Sequence, residues 1–166
     1  MERSNQELIQ DLHSSDPVVR QNAREELVRR DGPQVVRALV VELTDPRQQV
    51  RWEAAKALGE IADPVAAPAL VNELADEDPD VRWVAGEGLI AMGEAGLLTV
   101  LSELPKRAAS VAFREGAHHV LHELKNERNA AVVQPVLDAL RGPEPGVNAP
   151  PVAADALWKL RGAHPL

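Results

Sequence analysis

The chain has 166 residues, the length of about one domain, with 18 Lys plus Arg against 26 Asp plus Glu and a net charge of -8. That balance repels phosphate backbones and anionic membrane surfaces, so neither nucleic acid nor membrane is expected as a partner. The lack of cysteine excludes disulfides, thiolate nucleophiles and Cys-ligated zinc, and a core of Ala, Leu and Val with one Phe and no Tyr suits close-packed helices rather than a sheet.

The opening MERSNQELIQDL places charges where a signal peptide needs an apolar run. No segment offers the roughly 18 uncharged apolar residues of a membrane span, and a cytoplasmic protein is expected.

Two helical patterns then alternate along the chain. The first is short and aliphatic: Leu8 to Leu12, Pro33 to Leu43, Pro64 to Leu74, Ala95 to Leu104 and Ala130 to Leu140. The last leucines of these helices, called A, are spaced by 31, 31, 30 and 36. The second, helix B, is amphipathic and clearest in VRWEAAKALGEI, where Val50, Ala54, Ala57, Leu58 and Ile61 share one stripe. Its leucines Leu27, Leu58, Leu89, Leu121 and Leu157 are spaced by 31, 31, 32 and 36.

Asp16-Pro17, Asp45-Pro46 and Asp78-Pro79 stand before helix B, where Asp caps and Pro fits the first turn, and Gly32-Pro33 and Asp63-Pro64 open helix A. The periodicity predicts one domain over 1–166, made of five two-helix units at about 3–31, 32–62, 63–93, 94–127 and 128–163. In the fifth, GPEPGVNAPP (142–151) carries four prolines in ten residues and is expected to be a surface loop.

DPRQQVRWEAAKALGEI and DPDVRWVAGEGL resemble HEAT repeats of the short phycobilin-lyase type. The resemblance implies an all-α solenoid of the armadillo class, helix A on the convex side and helix B lining the concave side. It also implies Asp and Arg residues that lock successive turns, here Arg20, Arg51, Arg82 and Arg114 with Asp45 and Asp76. The hydroxylases of this repeat class hold iron through His-Glu pairs just after the Val-Arg position. Here those positions read Trp52-Glu53, Trp83-Val84 and Glu115-Gly116, so no iron site and no cofactor is carried over.

If B helices line a groove, their outward register is Gln21, Trp52, Trp83, Glu115 and Pro151, then Glu25, Lys56, Glu87, His119 and Asp155, then Arg29, Glu60, Ala91, Glu123 and Lys159, with Trp158 close by. Trp52 and Trp83 in consecutive units are candidate anchors for a partner; the competing reading packs them over Gly59, Gly86 and Gly88 in the seam. Glu53, Glu87, Glu115 and other glutamates outnumber Lys56 and Arg29, which suits a protein or peptide carrying Lys or Arg.

His118, His119, His122 and Glu123 have ligand-like i, i+4 spacing but lack a third ligand from another unit, and a cluster without metal is the favoured reading. With no phosphate loop and no nucleophile beside a base, catalysis is not expected. The sequence therefore points to a non-enzymatic interaction scaffold. The alternatives are a bilin-lyase-like subunit that handles a tetrapyrrole or assists an enzyme and, behind it, a metal-dependent oxidoreductase.

Overall fold

The structure, a computed structural model, describes residues 1–162. Among them are ten α-helices and no strand: α1 (Asn5–Asp11), α2 (Pro17–Arg30), α3 (Pro33–Glu42), α4 (Gln48–Ile61), α5 (Ala67–Leu70), α6 (Pro79–Ala91), α7 (Glu94–Arg107), α8 (Val111–Leu124), α9 (Ala130–Arg141) and α10 (Pro145–Gly162). They form the expected series of helix pairs, although residue 163, the expected end of the fifth unit, lies outside the described residues. None of these helices is long and apolar enough to cross a membrane.

Local chemistry sets the boundaries. Ser4 and Glu7 form a reciprocal capping box at α1, and the carboxylates of Asp16 and Asp78 accept from the first free N–H groups of α2 and α6. At α4 the cap position falls to Arg47, and Asp45 instead accepts from the Arg47 N–H at 2.9 Å.

The third A helix departs from expectation. Pro68 has no N–H for the Pro64 carbonyl four residues back, and the segment tightens into 3-10 turns at Pro64–Ala66 and Val71–Ala75 around the single α-turn of α5.

The core runs the length of the stack. Leu12, Leu74 and Leu104 of the first ladder, Leu27, Leu58, Leu89 and Leu121 of the second, and Leu39 of α3 are fully buried. Each contributes roughly 1.5–3 kcal/mol relative to an exposed position. No unit can seal its own apolar stripe, so α2, α4, α6 and α8 pack in series. Glycine brings α4 and α6 closest: a Cβ at Gly59 would lie 2.8 Å from the Gly88 Cα.

The fifth unit breaks the order. A continued stack would set α9 on α7 and α10 on α8. Instead the extensive contacts of α10 are with α7 and α9, while α9 borders α8. Helix α10 runs antiparallel to α7, with Gly146 beside Ala108 at one end and Leu160 near Leu97 at the other. The terminal hairpin is thus turned over, and its second helix occupies the A layer.

Two expectations fail at this hairpin. Residues 145–151 are helical rather than a loop, leaving only 142–144 outside α9 and α10. Pro145 is the first residue of α10, and burial of Ala149, Ala153 and Ala156 outweighs the carbonyl bonds that Pro150 and Pro151 forfeit. Pro151, Asp155, Trp158 and Lys159 consequently leave the B-helix register, because their helix lies in the other layer.

Candidate functional site

The B-helix face carries three hollows in a row. The first, of about 770 Å³, lies over α2, α4 and the start of α6 and is lined by Arg20, Arg24, Trp52, Glu53, Lys56 and Trp83 among others. The second, about 290 Å³, lies between α6 and α8 around Trp83, Gly86, Glu115 and His119. The third, about 590 Å³, is closed by the end of α9 and the start of α10. Trp83 is a wall of the first two; Glu115 and His119 are shared by the second and third.

Trp83 stands 59% exposed and fixed in direction. Its indole stacks on the His119 imidazole with centroids 5.0 Å apart and planes 24° from parallel. His119 in turn donates through Nε2–H to Glu87 Oε1 at 3.0 Å. The sequence brings these together because Trp83 and Glu87 lie one turn apart on α6, and α8 presents His119 beside them. Here three of the predicted residues form one unit.

Trp52 differs. It is half-buried, packs on the core, and lies under the Arg24 guanidinium at 5.4 Å. Glu53 is only 5% exposed, accepting from Arg24 at 2.5 Å with the Arg20 Nε at 3.6 Å. Burial and the clasp of Arg24 make it a tie between α2 and α4, and it also lines the first hollow. Lys56 pairs with Glu60 at 3.7 Å. The Nε–H groups of Arg20 and Arg24 are buried behind the first hollow without a hydrogen-bond acceptor, 3.6 Å from a Glu53 oxygen and 3.8 Å from a Glu60 oxygen respectively. Neither tryptophan fills the glycine seam: Gly59 and Gly88 meet backbone to backbone, and His119 covers Gly86.

The charge of the hollows is not the acidic one expected. Arg20, Arg24, Lys56, Arg82, Arg114 and Arg141 line them, against Glu53, Asp80 and Glu115. Glutamates of the outer register, such as Glu60 and Glu123, do not line them. Arg24 was missed because it sits one position short of the outward register, although Ala55 and Gly86 at the matching positions leave it room. No sequence signal marks Arg141, which only the overturned hairpin brings to the row.

The Arg20, Arg51, Arg82 and Arg114 ladder is structural in an unexpected way. Each guanidinium donates to the carbonyl six residues back: Ser14 at 2.8 Å, Asp45 at 3.0 Å, Asp76 at 2.7 Å and Ala108 at 2.5 Å. One also locks successive units, since Arg51 grips Asp76 through Nε at 2.8 Å and a terminal nitrogen at 3.1 Å. Behind it Glu73 is pushed up to about 8 by burial and by its hydrogen bond to Asp76.

The weak metal candidates do not converge. His118 Nε2 accepts from Arg141 Nε at 2.7 Å and its ring stacks on His122. His119 is held by Glu87, and His122 lies 3.7 Å from Glu123. Among the described residues the histidine–carboxylate group whose atoms do converge is His13, Glu42 and Asp45. His13 donates to Glu42 at 2.5 Å, and Arg47 occupies both Asp45 oxygens at 2.9 Å, holding that carboxyl down at about 2. A guanidinium seated where a cation would bind makes this an ion-pair tie between the first two units.

Residues 5–72 match the family description HEAT repeats. No curated protein matches the chain. Among solved structures, the complex of CpcE and CpcF of phycocyanin lyase from Nostoc sp. PCC7120 is similar at 22% identity and a TM-score of 0.55, covering 98% of this chain. This chain spans 66% of that one's length. An engineered protein is similar at 21% identity and a TM-score of 0.46, over 93% of this chain and 78% of its own.

Proposed function

We propose that this chain, a HEAT-repeat protein of the phycobilin-lyase-like kind, is a non-enzymatic interaction module that binds a protein segment along the B-helix face. One observation carries the reading: Trp83 is exposed, yet its orientation is set by His119 and Glu87. An aromatic side chain already ordered in the free state loses little entropy on binding, as at interface hot spots. Trp52 forms the apolar floor of the adjoining hollow, and the Arg20, Arg24 and Lys56 side chains in its lining offer positive charge to carboxylates or main-chain carbonyls of the bound segment. Lys56, Glu87 and Glu115 set charge complementarity. The basic partner expected from the sequence would meet the outer glutamates, whereas the hollows themselves favour acceptor groups.

Selection from a random peptide display library tests this. Peptides enriched on the wild-type protein should bind Trp83→Ala at least about tenfold more weakly, the loss of a moderate hot spot, with the helical circular dichroism unchanged. Equal binding by the variant, or no enrichment at all, removes the groove reading.

The tetrapyrrole-handling alternative rests on the fold shared with the phycocyanin lyase complex. A bilin whose absorption spectrum is unaltered by the protein rules it out.

A further inference from the structure

The third hollow is built by residues that the turned-over hairpin gathers from α8, α9 and α10. Its charged lining is Arg114, Arg141 and one carboxylate, Glu115, and His118, His119 and His122 add ring nitrogens. In a chain of net charge -8 this is a local reversal of sign. Arg141 uses its Nε on His118, and its two terminal nitrogens have no hydrogen-bond partner among the described residues. Arg114 donates one terminal nitrogen to the Ala108 carbonyl, which holds its positive charge in the lining of the hollow. Burial, with Arg141, His122 and His119 alongside, holds His118 below the ordinary histidine range. Val111, Leu140 and Pro145 supply the apolar part of the lining.

We propose that this hollow binds a small organic oxyanion, a phosphate or carboxylate gripped by Arg141 and the neighbouring histidines and carried on an apolar body that lies against Val111, Leu140 and Pro145. A guanidinium with two free nitrogens matches an oxyanion in a bidentate fork, and Lys would not reproduce that geometry. The volume of about 590 Å³ is that of an ordinary small-molecule site. An incoming negative charge also offsets the crowding of positive groups around His118 and so moves its titration upward, although a proton on Nε2 displaces the Arg141 Nε–H bonded there. Glu115 opposes the ligand, and Glu87 and Glu123 pair with His119 and His122.

Phenyl phosphate is the probe, with phenol as its uncharged counterpart and N-acetylglutamate amide as a stand-in for an acidic side chain, followed by histidine-resolved NMR. Phenyl phosphate should shift the His118 resonances saturably and move the His118 titration upward, while phenol does neither. Arg141→Gln, a change at an exposed helix end, should weaken binding about tenfold or more, as expected for one charge-assisted pair. Glu115→Gln should tighten it. Comparable binding of N-acetylglutamate amide would assign the oxyanion to a partner's acidic residue, and preference for phenyl phosphate would assign it to a free small molecule. The proposal is overturned if phenol binds equally, if the His118 titration stays put, or if Arg141→Gln binds as well as wild type. Trp83 lies outside this hollow, so Trp83→Ala should still bind phenyl phosphate, and this site and the peptide groove fail or stand separately.

Discussion

Gly59 and Gly88 hold α4 and α6 against each other backbone to backbone. A Cβ at Gly88 would sit 3.1 Å from the Gly59 Cα and from Leu70 Cδ1, and one at Gly59 still closer to its opposite number. Alanine gains about 1 kcal/mol over glycine inside a helix, yet here it forces the helices apart. Gly59→Ala and Gly88→Ala should therefore each destabilise the protein by about 1–3 kcal/mol, as overpacking does. Urea denaturation measures this, and a variant as stable as the wild type would show that the approach is not tight.

The two tryptophans should separate in their stability costs. Trp83→Ala removes an exposed ring and should change stability by less than about 0.5 kcal/mol. Trp52→Ala strips a half-buried ring from the core and from Arg24 and should cost about 1–3 kcal/mol. Thermal melts of both decide it; a Trp83 variant as damaged as the Trp52 variant would mean that Trp83 is a packing residue.

Glu73 makes stability fall with rising pH. It is 8% exposed and its carboxyl is pushed up to about 8, so the folded protein holds a proton that the unfolded chain releases near 4.5. The stabilisation from that proton is fully present below about 4.5 and is lost as pH rises to about 8, with a slope of at most about 1.4 kcal/mol per pH unit. Asp76 acts oppositely at lower pH: Arg51 holds its carboxyl below 3.8, so its contribution disappears on acidification through that lowered value. Glu73→Gln should flatten the profile between about pH 5 and 8, and an unchanged slope in the variant would place the titration elsewhere.

The terminal hairpin should come away before the rest of the stack. Ala153 is fully buried in α10. Ala153→Leu should cost about 1–3 kcal/mol by overpacking, and hydrogen exchange should quicken over 130–162 while α2 and α4 stay protected, because repeat contacts are local. Uniform loosening of every helix would show that the hairpin is not a separable unit.

The ladders Leu12 to Leu140 and Leu27 to Leu157 made the helix pairs legible, since burial at fixed intervals leaves a mark in any stacked array. Trp83, Glu87 and His119 were legible for the same reason: they share a register. The orientation of the last hairpin was not. Helices α9 and α10 carry apolar stripes that serve either layer, and the choice rests on small residues such as Gly146, Ala149 and Ala153, which alternate with prolines that suggest a loop. The sign of the hollows was hidden too, because formal charges counted along helix faces ignore how far each arginine reaches.

That reversed hairpin bears on how such an array can lengthen. An ordinary unit copied in behind α10 would find, where it needs an A helix, one pointing the opposite way, and its own apolar stripes would meet the wrong neighbours. Duplication is compatible with this architecture between earlier units, where each junction repeats the last. Extra copies would draw the oxyanion hollow away from Trp52 and Trp83 without altering either.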